Sequence, residues 1–105
     1  MSELELPQRT GQDVVGTVMD IFIEKGIPVS SKARGMIGRQ AKELLSDGFD
    51  YETLVISAVM ALRRGEPHRM HWIASDLVMA RAGEKMDRRS YERALQDEME
   101  IGGRQ

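Results

Sequence analysis

A 105-residue chain with 41% hydrophobic and 30% charged residues has the composition of one folded domain and is too apolar for a disordered chain. It contains no cysteine. Disulfides, thiolate metal sites and cysteine nucleophiles are therefore excluded, and a cytoplasmic location is the expectation. The net charge of −2 is unevenly spread, with two basic and five acidic side chains in residues 1–30, twelve and nine in 31–94, and one and three in 95–105. A mildly basic middle thus lies between acidic ends, and local patches matter more than the total. No apolar run approaches the roughly 20 residues of a membrane span. Met1 to Arg9 lack the basic start and apolar middle of a signal peptide.

Residues 1–9 hold Pro7 and no usable period, and are expected to form a mobile tail. Thr10, three residues before Asp13, opens a first helix carrying Val14, Val15, Val18, Ile21 and Phe22; Gly26 and Pro28 stop it. Ser30 or Ser31 caps a second helix whose apolar stripe is Ala33, Ile37, Ala41, Leu44 and Leu45. Asp47-Gly48 ends it. Asp50 caps a third helix through Leu54, Val55, Ala58, Val59, Ala61 and Leu62, closed by Gly65 and Pro67. Its β-branched residues would suit a strand, but caps at both ends favour helix.

The spacing predicts a fourth helix over Arg69 to Ala82, with Trp72, Ile73, Leu77 and Ala80 inward and Gly83 as its C-terminal cap. Asp87 caps a fifth, with Tyr91, Leu95 and Met99 at i, i+4 and i+8 on one face. Gly102-Gly103 frays the end. Short links imply an all-α fold, a compact bundle of four to five short helices. Its domain is residues 10–101, with 87–101 a peripheral helix and 102–105 a frayed tail. Ile37, Leu44, Leu54, Val55, Val59, Trp72 and Leu77 are expected to share one core. The stripe on the fifth helix is expected to dock on this bundle, self-association into a homo-oligomer being its other use.

On the second helix, Lys32, Arg39 and Lys42 fall opposite the apolar stripe and form an exposed basic ridge. Such a ridge can neutralise phosphates and release counterions; a solvated helix face is the plainer reading. Gly35 and Gly38 each cost this helix about 1 kcal/mol against alanine. Close approach of a neighbouring backbone is the first explanation, and contact with a ligand or a nucleic-acid backbone the second. Arg63 and Arg64, with Arg69 beyond them, form a second basic patch, although a helix C-terminus favours such residues anyway.

His68, His71 and Asp76 are too few, and unsuitably spaced, for a metal site. Neither metal nor cofactor is expected. Trp72 reads as core, with an interface anchor as the alternative. The eight methionines read as flexible core filling, or as an adaptable binding surface. No P-loop, HExxH or nucleophile elbow occurs, so the chain is not expected to be an enzyme.

The run Ser31 to Leu45, then Gly48, an acidic cap, an apolar helix, Arg63-Arg64-Gly65 and a His71-Trp72 helix, covers about half the chain. It resembles the helical C-terminal module of replication-initiation proteins of actinobacterial phages and prophages, with its pattern Ile37-Gly38, Ala41, Leu44-Leu45 and Gly48. Those modules are loosely similar to DnaD-type helical domains, which bind DNA or help load a replicative helicase. The larger proteins carry a winged-helix domain ahead of the module, and 30 residues are too few for one. The resemblance therefore implies an adaptor in phage or mobile-element DNA replication, with a replication or host protein as partner and only weak, non-specific contact with DNA phosphates. One alternative is a small helix-turn-helix-like regulator, weakened by the absence of asparagine. The other is a phage protein that covers and inhibits a host enzyme.

Overall fold

The computed structural model describes residues 9–103, with side chains as far as Glu100. Of the expected tails, 1–9 and 102–105, residues 1–8 and 104–105 lie outside the described residues, and Gly102 and Gly103, expected to fray, continue the last helix. The fold is an all-α bundle of five helices: α1 Gly11–Glu24, α2 Ser31–Ser46, α3 Tyr51–Arg63, α4 Met70–Ala80 and α5 Arg88–Gly103. A 3-10 turn, Pro67–Arg69, leads into α4.

The helix starts follow the sequence. Thr10 and Asp13 form a reciprocal capping box: the Asp13 backbone N–H donates to Thr10 Oγ1 at 3.2 Å, and the Thr10 N–H to Asp13 Oδ2 at 2.8 Å. Ser30 caps α2 through the Ala33 N–H at 3.1 Å, and Asp50 caps α3 through the Thr53 N–H at 3.2 Å. Arg9, assigned to the tail by the sequence, holds its guanidinium 4.1 Å from the centre of the Tyr51 ring.

The helix ends share one device. In α1 to α3 a glycine in the left-handed region follows the C-cap: Gly26, Gly48 and Gly65, at φ 72°, 101° and 73°. Paired bonds reach back into the last turn, such as Gly48 N–H to the Leu45 carbonyl and Phe49 N–H to the Leu44 carbonyl. α4 repeats the bonding, but the residue in the glycine position is Ala82, at φ 55°, and Gly83 follows one position late. The sequence placed the cap at Gly83, one residue after the first left-handed position, and extended the helix two residues too far.

The helices pack around α3, which touches each of the other four. Seven consecutive α3 residues, Thr53 to Val59, are buried, so this helix is covered on all sides rather than on one stripe. Its two buried hydroxyls are satisfied. Ser57 donates to the Thr53 carbonyl at 2.7 Å, and Thr53 Oγ1 donates to Asp50 Oδ1 at 2.7 Å. Arg81, beyond the end of α4, donates to that same Thr53 oxygen at 2.7 Å and lies 3.9 Å from Asp50 Oδ1. Ile37, Leu44, Leu54, Val55 and Val59 lie in the core as predicted, and Leu77 packs against it partly buried.

Trp72 does not lie there. It is 54% exposed, and Ala80 is also exposed. Met70 and Ala74 are fully buried instead, with Ile73 and Leu77 beside them. The cause is helical phase: at about 100° per residue, Trp72 stands two positions, or roughly 200°, from Met70. The sequence reading took the inward stripe as 72, 73, 77 and 80; the stripe at 70, 73, 74 and 77 is the actual inward face.

α5 packs on α3, with Tyr91 and Met99 nearly buried and Leu95 partly so. Asp87 caps it through the Ser90 N–H at 2.8 Å, and that bond holds the Asp87 carboxyl below its ordinary value of 3.8. A depressed carboxylate contributes stability above its unfolded pKa and loses it as pH falls through the folded one. α5 is therefore expected to loosen as pH drops below about 4, and less so in Asp87→Asn, whose cap does not titrate. Helical signal at residues 88–99 followed by NMR from pH 6 to 2.5 checks this; identical curves for both proteins would remove the cap from the explanation.

A basic groove on α2 and an aromatic face on α4

α1 crosses α2 at two glycines. A Cβ on Gly11 would lie 3.0 Å from the Gly38 carbonyl oxygen and 3.2 Å from the Lys42 backbone nitrogen. One on Gly38 would lie 3.3 Å from Val15 Cγ2. The close approach expected of the α2 glycines thus holds at Gly38, where the Gly11 backbone and the Val15 side chain come up against α2. At Gly35 it does not: no atom lies within 4 Å of the position its Cβ would take.

Beside this crossing runs a groove of about 400 Å³, lined by Gln12, Val15, Ser31, Arg34, Gly35, Gly38, Arg39 and Lys42. Ser31, Gly35 and Gly38 recur at i, i+4 and i+7 and form its floor; Arg34, Arg39 and Lys42 edge it. Arg34, Arg39 and Lys42 are exposed, and none is in an ion pair among the described residues. The lining carries no carboxylate. A larger cleft of about 880 Å³ continues past Gln12, Gly38 and Lys42 to Arg9, Lys85, Asp50 and Glu52, where both signs of charge meet.

Of the predicted ridge, Arg39 and Lys42 line the groove. Lys32 is exposed on the first turn of α2 and is not part of the lining. Arg34 was missed because it stands about 200° around the helix from Lys32, at the edge of the apolar stripe; its place four before Gly38 and eight before Lys42 was the available signal. The second patch is divided. Arg63 ends α3 half-buried and Arg64 is its C-cap, where cations meet the negative end of the helix. Arg69 is engaged elsewhere: its guanidinium lies 4.6 Å over the Trp72 ring and 3.7 Å from Glu66.

The outer face of α4 thereby becomes an aromatic platform. Trp72 has Arg69 on its face and the His71 ring against it at 5.2 Å, edge to face. Met79, seven residues on and so on the same side, is 76% exposed.

Gln40 fixes the start of this helix. Its Nε2 donates to the Pro67 carbonyl at 2.7 Å and the Met36 carbonyl at 3.1 Å. Its Oε1 accepts from the His71 backbone N–H at 3.0 Å and lies 2.9 Å from His71 Nδ1. Because both Nε2 bonds go to carbonyls, Oε1 is the acceptor and His71 Nδ1 carries the proton. His68 and His71 line one cleft with Glu43, without Asp76. Among the described residues no three His, Asp or Glu side chains are grouped as metal ligands.

No family model, curated protein or solved structure matches the chain.

Proposed function

We propose that the chain is a non-enzymatic helical adaptor in phage or mobile-element DNA replication, and that it docks on a partner protein through the outer face of α4. The observation that carries this is Trp72, half-exposed on a rigid helix and stacked under Arg69. Solvent gains nothing from a tryptophan in that position, whereas Trp and Arg are the side chains most often found at the energetic centre of interfaces. Met79 extends the face with a flexible apolar chain that adapts to a partner. The replication context rests on the resemblance of residues 31–80. The regulator alternative is weakened by α3: the second helix of an α2–turn–α3 pair would be the reading helix, and it is buried.

The test is capture from cells of the native host, with nuclease present, comparing the natural chain with Trp72→Ala and Met79→Ser. A replication protein held by the natural chain and released by either variant is expected. Capture that persists in both folded variants, or that disappears with nuclease alone, would overturn the reading.

A further inference from the structure

We infer that the groove floored by Gly35 and Gly38 and edged by Arg34, Arg39 and Lys42 seats the sugar–phosphate backbone of duplex DNA. The site is distinct from the α4 platform, so it stands or falls independently of the protein partner.

Three observations carry it. The first is charge. Among the described residues, three exposed cations without ion-pair partners converge on a groove that has no carboxylate in its lining. Side chains so placed neutralise a polyanion and release its counterions. Asp50 and Glu52, in the adjoining cleft, set a limit to the cationic stretch.

The second is Gly35. A glycine within a helix costs about 1 kcal/mol against alanine. At Gly38 the crossing of α1 accounts for the missing side chain; at Gly35 nothing in the fold does, because the space above it is open. An open backbone between two arginines lets a phosphate approach the helix itself while both guanidinium groups reach it from the sides.

The third is length and chemistry. From Arg34 to Lys42 is eight residues, or about 12 Å of helix. Three cations spread over that length match roughly three successive phosphates of one strand. None of the lining residues is aromatic, and single strands are held by aromatic stacking platforms. With Arg34, Arg39 and Lys42 committed to phosphates, only Gln12 and Ser31 are left to reach base edges, so recognition is of backbone and not of sequence.

The test is fluorescence anisotropy of the natural chain with two labelled duplexes of unrelated sequence and with one single strand, from 50 to 200 mM salt. Equal affinity for the two duplexes is expected. Three neutralised phosphates predict a slope of log K against log salt of about −2.7, a loss of about 40-fold over that range. Gly35→Glu places a carboxylate in the groove and is expected to weaken binding at least about tenfold. Gly35→Gln, matched in size, is expected to stay within about threefold. Both replacements improve helix propensity, so thermal unfolding should show both at least as stable as the natural chain. Joint replacement of Arg34, Arg39 and Lys42 by alanine should flatten the salt slope toward zero. The inference is overturned if Gly35→Glu binds as the natural chain does, if the triple variant keeps the slope, if the single strand or an acidic peptide of equal charge binds more tightly than duplex, or if one duplex is strongly preferred.

Discussion

Leu54→Ala is expected to destabilise the protein by about 2–5 kcal/mol, and Trp72→Ala by less than about 1 kcal/mol. The order inverts what side-chain size suggests. Leu54 is fully buried on the helix that all the others enclose, so its removal leaves a cavity as well as losing transfer energy. Trp72 is half in water, and its removal loses a stacked arginine and some partial burial. A domain of this size has roughly 5–15 kcal/mol of stability, so the leucine replacement removes a large fraction of it. Denaturant unfolding of the two variants decides the matter. A larger loss for Trp72→Ala would put the tryptophan back in the core and remove the proposed docking face with it.

The second large effect is expected at Asp50. This carboxylate caps α3, accepts from the buried Thr53 hydroxyl and faces the Arg81 guanidinium. Removing a cap costs about 0.5–2 kcal/mol, and leaving buried donors without an acceptor adds about 1–3 kcal/mol. Asp50→Ala is therefore expected to cost about 2–4 kcal/mol, and Asp50→Asn, which keeps the cap and an acceptor, about half of that. The same unfolding measurement applies. If Asp50→Ala loses less than about 0.5 kcal/mol, Arg81 and Thr53 find other partners and the network is incidental.

The caps were legible because their chemistry is local: Thr10, Ser30, Asp50 and Asp87 each serve an N–H three residues on. The core of α2 and α3 was legible from period. Trp72 was misread because α4 is apolar on more than one side, and only packing against α3 selects Met70 and Ala74. Long-range polar ties left no sequence signal. Gln40 serves residues 27 and 31 positions away, and Arg81 one 28 positions back. The basic character of α2 was visible, but its centre was not. That depends on where α1 crosses, at Gly11 and Gly38, a contact between residues 27 apart that no helix wheel contains.

The position of α3 constrains how the chain can come into being. Two of the helices that wall it in precede it and two follow it, so no contiguous piece from either end encloses it. On the ribosome, Leu54 to Val59 emerge before half of their cover has been made. Until α4 and α5 arrive, an apolar helix waits with one flank in water, the condition in which nascent chains meet chaperones or each other. Of these five helices α5 emerges after the rest: its arrival completes the cover of α3, and a chain that stops short of it exposes the flank of α3 that α5 would have covered.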